Sequence, residues 1–225
     1  MSTYLITGAN RGIGLELTKQ ALSQGHRVVA TCRSPDSAVA LSELEGALDV
    51  YSLDVADEVA TTTLAQTLSS LTLDVLLNNA GVMAVNQSVD DMSYDQWMHS
   101  FAVNAIAPWR MATSFAPQLA ASDSPKVLTL TSQMGSLERA GSDRVAYRSS
   151  KSAANMAMRT LAIEWQPRGI IVCMLHPGWV RTDMGGSDAD VGCVESASGL
   201  LKVIDGLTLA DTGCFYNHNG DVIPW

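Results

Sequence analysis

Short apolar runs alternate with longer amphipathic stretches along nearly the whole chain. "YLITG", "RVVATC", "DVYSLDV", "LDVLLNN", "KVLTLTS", "GIIVCMLHP" and "GCFYN" read as strands. A helix is predicted from about Gly12 to Gln24: Ile13, Leu17 and Ala21 fall on one face, and Gly25 suits its exit. A helix carrying Leu64, Leu68 and Leu71 on a stripe is predicted before "LDVLLNN", and long helical segments precede "KVLTLTS" and "GIIVCMLHP". These strands are nearly continuously apolar, without clean alternation, which marks strands covered on both faces. Strands and helices in alternation, with right-handed crossovers, give an α/β fold: a doubly wound parallel sheet of about seven strands flanked by helices. No linker or internal repeat divides residues 1–225, so a single domain is expected. Ligands on such sheets bind outside the carboxyl ends of the strands. Those ends are Gly8–Gly14, Cys32–Arg33, Asp54, Asn78–Gly81, Ser132 and Pro177–Thr182.

Composition narrows the partners. Hydrophobic residues make up 47% of the chain, enough for a sizeable core. The longest apolar runs fall far short of the roughly 20 residues that span a bilayer. The start of the chain has no charged and apolar leader pattern, and the four cysteines have neither C-x-x-C spacing nor a disulfide framework. A cytoplasmic protein with reduced thiols is expected. A net charge of -9 argues against nucleic acid and anionic membrane as main partners. The four histidines lack metal-ligand spacing, so no metal site is expected.

"TGANRGIG" lies between the first strand and the first helix. Gly8 suits a tight turn, Gly12 a close approach of backbone to a pyrophosphate, and Gly14 close packing of helix on strand. A helix N-terminus there offers free N–H groups and the positive end of a dipole. The spacing is G-x-x-x-G-x-G, not the general dinucleotide fingerprint, and glycine-rich loop chemistry is the plain alternative. At the end of the second strand an NAD site usually carries an acid for the ribose 2′-hydroxyl. Here Cys32 and Arg33 stand instead. A guanidinium grips a 2′-phosphate that a carboxylate would repel, and Arg11 offers a second positive group, so NADP(H) is favoured over NAD(H). The alternative is two solvated surface arginines.

Tyr147 and Lys151 stand four residues apart in "VAYRSSKSAANMAM", on one face of a helix. Free tyrosine ionises near pH 10 and free lysine near 10.4. A close ammonium favours phenolate, and about 4 kcal/mol of differential stabilisation would bring the phenol to near 7, where it could trade protons. A half-buried phenol beside a solvated amine is the structural alternative.

With "TGANRGIG", "NNAG" at Asn78–Gly81, Asn104, Ser132, "YRSSK" at Tyr147–Lys151 and "PGWVRT" at Pro177–Thr182, the chain resembles the short-chain dehydrogenase/reductase family. "HPGWVRTDMGG" and "GDVIPW" are most similar to its small carbonyl-reductase-like branch, which includes the Sniffer and C-factor proteins. The resemblance implies a Rossmann-type fold and residue roles. Gly8, Asn10, Arg11, Gly12, Ile13 and Gly14 would line pyrophosphate and ribose, and Asp54, with Val55 beside it, would meet the adenine amino group. Asn79, Ala80 and Gly81 would pass the adenosine ribose, while Pro177, Gly178, Val180 and Thr182 would flank the nicotinamide. Asn104, Ser132, Tyr147 and Lys151 would form a catalytic tetrad, with Asn104 holding a water that links Lys151 to solvent. Ser132 is preferred to Thr131 and Ser136 because it precedes x-x-G at a strand end.

NADPH-dependent reduction of a carbonyl compound, with Tyr147 as general acid and base, is the expected activity. A nucleotide-binding signalling protein of the C-factor type is the second reading. A sugar-nucleotide epimerase or dehydratase is a third, disfavoured because the C-terminal region leaves little room for a substrate domain. Met134, Leu137, Trp179 and Met184 are the apolar candidates for substrate contact, and a short substrate loop is expected over about 183–205. Arg181 and Asp183 could pair there or select polar substrates. The family also implies a homodimer, or a tetramer, through the helices that begin near Ser93 and Tyr147.

Overall fold

The computed structural model describes residues 1–225. Seven strands form one sheet: β1 (Thr3–Thr7), β2 (Arg27–Cys32), β3 (Leu48–Ser52), β4 (Val75–Asn78), β5 (Lys126–Leu130), β6 (Ile171–His176) and β7 (Phe215–Asn217). Their order is β3-β2-β1-β4-β5-β6-β7, and every pairing is parallel. The order reverses between β1 and β4, which opens a crevice at their carboxyl ends, as in a Rossmann-type fold. β4 and β6 are buried along their whole length, as continuously apolar runs require. Edge strand β3 is only partly covered.

The helices are α1 (Gly12–Ser23), α2 (Val39–Ser42), α3 (Glu58–Thr67), α4 (Tyr94–Phe101), α5 (Ala107–Ser114), α6 (Ala116–Ala120), α7 (Val145–Trp165) and α8 (Cys193–Gly206). α1 and α8 pack together over one apolar core, which includes Leu17, Ala21, Leu200 and Ile204. α3, α5 and α7 cover the other, which includes Leu64, Met111, Phe115 and Met158. Asp57 caps α3 by accepting from the Ala60 amide at 3.0 Å. That helix stops at Thr67, so Leu68 is its C-cap and Leu71 lies in the following turn. The stripe Leu64, Leu68 and Leu71 therefore reaches the core from a helix and a turn, not from one helix.

Between α4 and α5 the chain keeps helical but widens to π geometry over Ala102–Ile106, where the Ala107 amide bonds the Ala102 carbonyl. π-turns inside helices mark functional sites more often than they occur by chance. The loop expected over about 183–205 is shorter: turns run to residue 192, and α8 begins at Cys193.

Candidate active site

A cleft of about 350 Å3 lies along the carboxyl ends of the central strands. The turn after β1 forms one end of it. Gly8 and Gly12 take left-handed φ values of 65° and 55°, and a Cβ on Gly14 would collide with the Gly8 carbonyl and the Asn79 side chain. These positions thus need glycine for backbone shape and for close approach. No side chain caps α1, and its hydrogen bonding starts with Leu15 donating to the Arg11 carbonyl, so the amides ahead of Leu15 remain available. Asn79 holds the turn in place by donating to Thr7 O at 2.8 Å and Gly8 O at 3.0 Å. The Thr7 hydroxyl in turn accepts from the Asn79 and Ala80 amides.

Asn10, Arg11, Ile13, Arg33, Asp54, Val55, Ala80 and Gly81 also line this cleft. Arg33 is exposed, and its guanidinium has no partner in the protein; Ser34 and Ser37 line the wall beside it. An uncapped helix end, a glycine cradle and a free guanidinium fit a dinucleotide bearing a 2′-phosphate. Arg11 differs from expectation. Its Nη1 lies 2.7 Å from Asp183, so it is spent across the cleft instead of standing beside Arg33 as a second free cation. Arg181 does not pair with Asp183 either; it donates to the carbonyls of Ala189 and Asp190 at 2.8 and 3.0 Å.

α7 brings Tyr147 and Lys151 to the same cleft. Lys151 is 4% exposed and donates to the Leu130 carbonyl at 2.8 Å, with Nζ 5.7 Å from the centroid of the Tyr147 ring. Burial lowers its pKa to about 8. Burial also raises the Tyr147 phenol above its ordinary value, against smaller opposing effects from the neighbouring Ser132 hydroxyl and from the Arg144 guanidinium. The expectation that Lys151 brings Tyr147 down toward neutrality is corrected: burial raises the phenol instead, and Lys151 is not among the groups that oppose this. In the cleft the loss of hydration penalises both charged forms. The Tyr147 phenol therefore keeps its proton at pH 7.

Ser132, at the end of β5, accepts from the Met134 amide at 3.1 Å and faces the phenol. Thr131 lines the cleft and Ser132, buried beside it, does not, while Ser136 is buried elsewhere in the turn. Asn104 sits in the π-turn. Its side chain donates to Val82 O at 2.8 Å and Ser150 Oγ at 2.9 Å, and accepts from the Val82 amide at 2.9 Å. It ties the chain after "NNAG" to α7 and makes no bond within its own helix. Pro177 and Thr182 line the cleft; Gly178 and Val180 do not, and Val180 is buried, bridging to Val191. Among the substrate candidates only Met184 lines the cleft. Leu137 is 77% exposed, Trp179 donates to the Gly185 carbonyl, and Met134 rests against Arg144. No group of three or more His, Cys, Asp or Glu side chains is placed to hold a metal.

Two contributors had no signal in the sequence. Gln87, buried in the loop after β4, accepts from the Tyr147 amide at 3.0 Å and donates to Ala84 O at 2.7 Å. Arg144 precedes α7 in a left-handed conformation.

The family model for short chain dehydrogenases matches residues 2–190. The chain belongs to the short-chain dehydrogenase family. It is 41% identical over 155 residues to the C-signal protein of Myxococcus xanthus, a match covering 68% of this chain and 93% of that protein. An NADPH-bound carbonyl reductase from chicken fatty liver superposes with a TM-score of 0.94 at 32% identity, covering 100% of this chain and 99% of the other. The carbonyl reductase Sniffer of D. melanogaster gives 0.94 at 28% identity over 100% of both chains. This dehydrogenase is thus an oxidoreductase by family, with NADP-bound carbonyl reductases among its structural neighbours.

Proposed function

We propose that the protein reduces a carbonyl compound to an alcohol with NADPH. One observation carries this reading: Tyr147 and Lys151 line the same cleft as the glycine turn and the free Arg33 guanidinium. The amides at the start of α1 would hold the pyrophosphate, Arg33 the 2′-phosphate, and the Asp54 carboxylate the adenine amino group. Pro177 and Thr182 would flank the nicotinamide. The bound cofactor supplies the hydride and takes it back in the reverse direction.

The chain's own groups manage the proton. Tyr147, neutral at pH 7, donates its phenolic proton to the carbonyl oxygen as negative charge develops there. Ser132 donates a hydrogen bond to the same oxygen and lowers the barrier by preorganised electrostatics. Lys151, held by the Leu130 carbonyl, stabilises the phenolate left behind and would bond the nicotinamide ribose. Asn104 fixes the Val82 backbone against α7 and so shapes the wall opposite Lys151.

The test is NADPH consumption by the purified protein across a panel of aldehydes, ketones and quinones. Tyr147→Phe should lower turnover about 10²- to 10⁴-fold while NADPH still binds; near-normal turnover would refute the scheme. Similarity to the C-signal protein favours one second reading, a signalling protein that binds nucleotide. A biological effect that survives Tyr147→Phe would support that reading. The exposed side chains of Tyr94 and Met98 on α4, and of Met156 and Ile163 on α7, fit a homodimer face. The four unpaired cysteines fit a reducing compartment such as the cytoplasm.

A further inference from the structure

Next to the cofactor cleft lies a second, open groove of about 770 Å3, walled by the 82–91 segment and the turns at 142–144 and 183–184. The two spaces share Arg11, Gly81, Val82 and Met184, so they are continuous. Gly81 leads to the catalytic end: a Cβ there would lie 3.5 Å from Lys151 Nζ. A substrate reaching Tyr147 would extend into this groove, and its wall chemistry sets what can extend.

Arg144 stands in that wall. It is the only residue other than glycine with a left-handed φ, 53°. A side chain is held in that conformation against a steric cost, and such positions cluster where a group must be aimed. The Arg144 guanidinium lacks a close partner. Asp143 approaches its Nε only to 3.7 Å and is already bonded by Arg148 at 2.9 Å; Nη1 meets only the Met134 sulfur, at 4.0 Å. The other acids in the groove are Asp183, paired with Arg11 at 2.7 Å, and Asp91, which accepts from Asn86 at 3.4 Å. Arg144 is thus the groove's cation without a close carboxylate, three residues before the proposed acid, and its charge favours the Tyr147 phenolate.

We infer that Arg144 binds an anionic group on the substrate, so that the preferred substrates are carbonyl compounds carrying a carboxylate. The inference rests on the carbonyl-reducing reading above and adds a substrate class to it. A guanidinium binds carboxylate bidentately, while an ester offers no charge to pair.

Two matched pairs test it: 4-carboxybenzaldehyde against its methyl ester, and 4-oxopentanoate against its methyl ester, each with NADPH. The acid-to-ester ratio of kcat/KM should exceed about ten in at least one pair, the size expected of a hydrogen bond to a charged group. In Arg144→Gln that ratio should fall to near one, and Arg144→Lys should restore part of it. Using the ratio cancels any change that Arg144→Gln makes to Tyr147 itself. Ester reduction with no preference for the acids, or a preference that survives Arg144→Gln, would overturn this inference and leave carbonyl reduction standing. If a protein that binds NADPH reduces none of the four, nor any carbonyl of the wider panel, both readings fall.

Discussion

Lys151 lies in the cleft wall with the Leu130 carbonyl as its hydrogen-bond acceptor, and burial holds its pKa at about 8. In the unfolded chain the same amine titrates near 10.4. Between those values the unfolded chain binds a proton that the folded chain lacks, so stability rises with pH across the window. Below it both states are charged and the cost of burying the ammonium is felt in full, about 3 kcal/mol at 1.36 per unit. Lys151→Met removes this titration. Relative to that variant, the wild type should gain about 3 kcal/mol between pH 7 and pH 10.4, read from urea unfolding at each pH. A difference that stays flat would mean the amine is better hydrated than its 4% exposure implies. Arg33 carries the second prediction at this scale. Arg33→Ala should weaken NADPH binding about tenfold or more and NADH binding much less, since only the former offers a 2′-phosphate to the guanidinium. Equal losses in titrations with the two cofactors would remove the 2′-phosphate assignment. Motif residues such as Tyr147, Lys151 and Arg33 were legible because their spacing is local. Gln87 and Arg144 were not: one acts across 60 residues, and the other through a backbone angle that no composition predicts.

The relation of α7 to the turn after β5 decides whether Ser132 meets Tyr147. Gly135 lies against the backbone of Lys151; a Cβ there would fall 2.8 Å from its carbonyl carbon and 3.0 Å from its carbonyl oxygen. The Gly135 carbonyl is itself fastened to α7, accepting from Ser152 at 2.9 Å and Asn155 at 3.3 Å. Because the neighbour is helix backbone, it cannot swing aside as a side-chain tip would. Gly135→Ala should therefore push the turn off α7, costing about 1–3 kcal/mol in thermal or urea unfolding and lowering kcat more than it changes the KM for NADPH. Wild-type stability and kcat would show that the turn adjusts without moving Ser132. Among the elements, the central strands could be read from apolar runs because a sheet covered on both faces imposes them. The π-turn at Ala102–Ile106 could not, since a widened turn of five residues is too short to establish a period of its own. The end of α3 was misjudged because Leu71 follows a helical spacing yet reaches the core from a turn.

At the scale of the whole molecule, two properties pull on assembly in opposite directions. α4 and α7 lie side by side, joined by the Trp97 indole donating to Ser149 at 2.8 Å, and their outer faces leave Tyr94, Met98, Met156 and Ile163 exposed. Met156 and Ile163 are seven residues apart on α7, which places them on one stripe. An apolar stripe on adjacent helices is suited to a second copy related by a two-fold axis, where each face meets itself. Each copy also carries a net charge of -9, so bringing two together costs electrostatic work that salt screens. The proposed homodimer should accordingly tighten as ionic strength rises, opposite to an interface held by ion pairs. Sedimentation at increasing salt should show a shift from 23.9 kDa toward twice that mass, and Ile163→Glu should hold the protein at 23.9 kDa throughout. Since Ile163 lies far along α7 from Tyr147, the variant should keep its turnover. A wild-type protein that stays at the monomer mass at every salt concentration would leave the stripe without the partner argued for it, and a dimer that loosens with salt would show that charge pairs, not apolar contact, hold it.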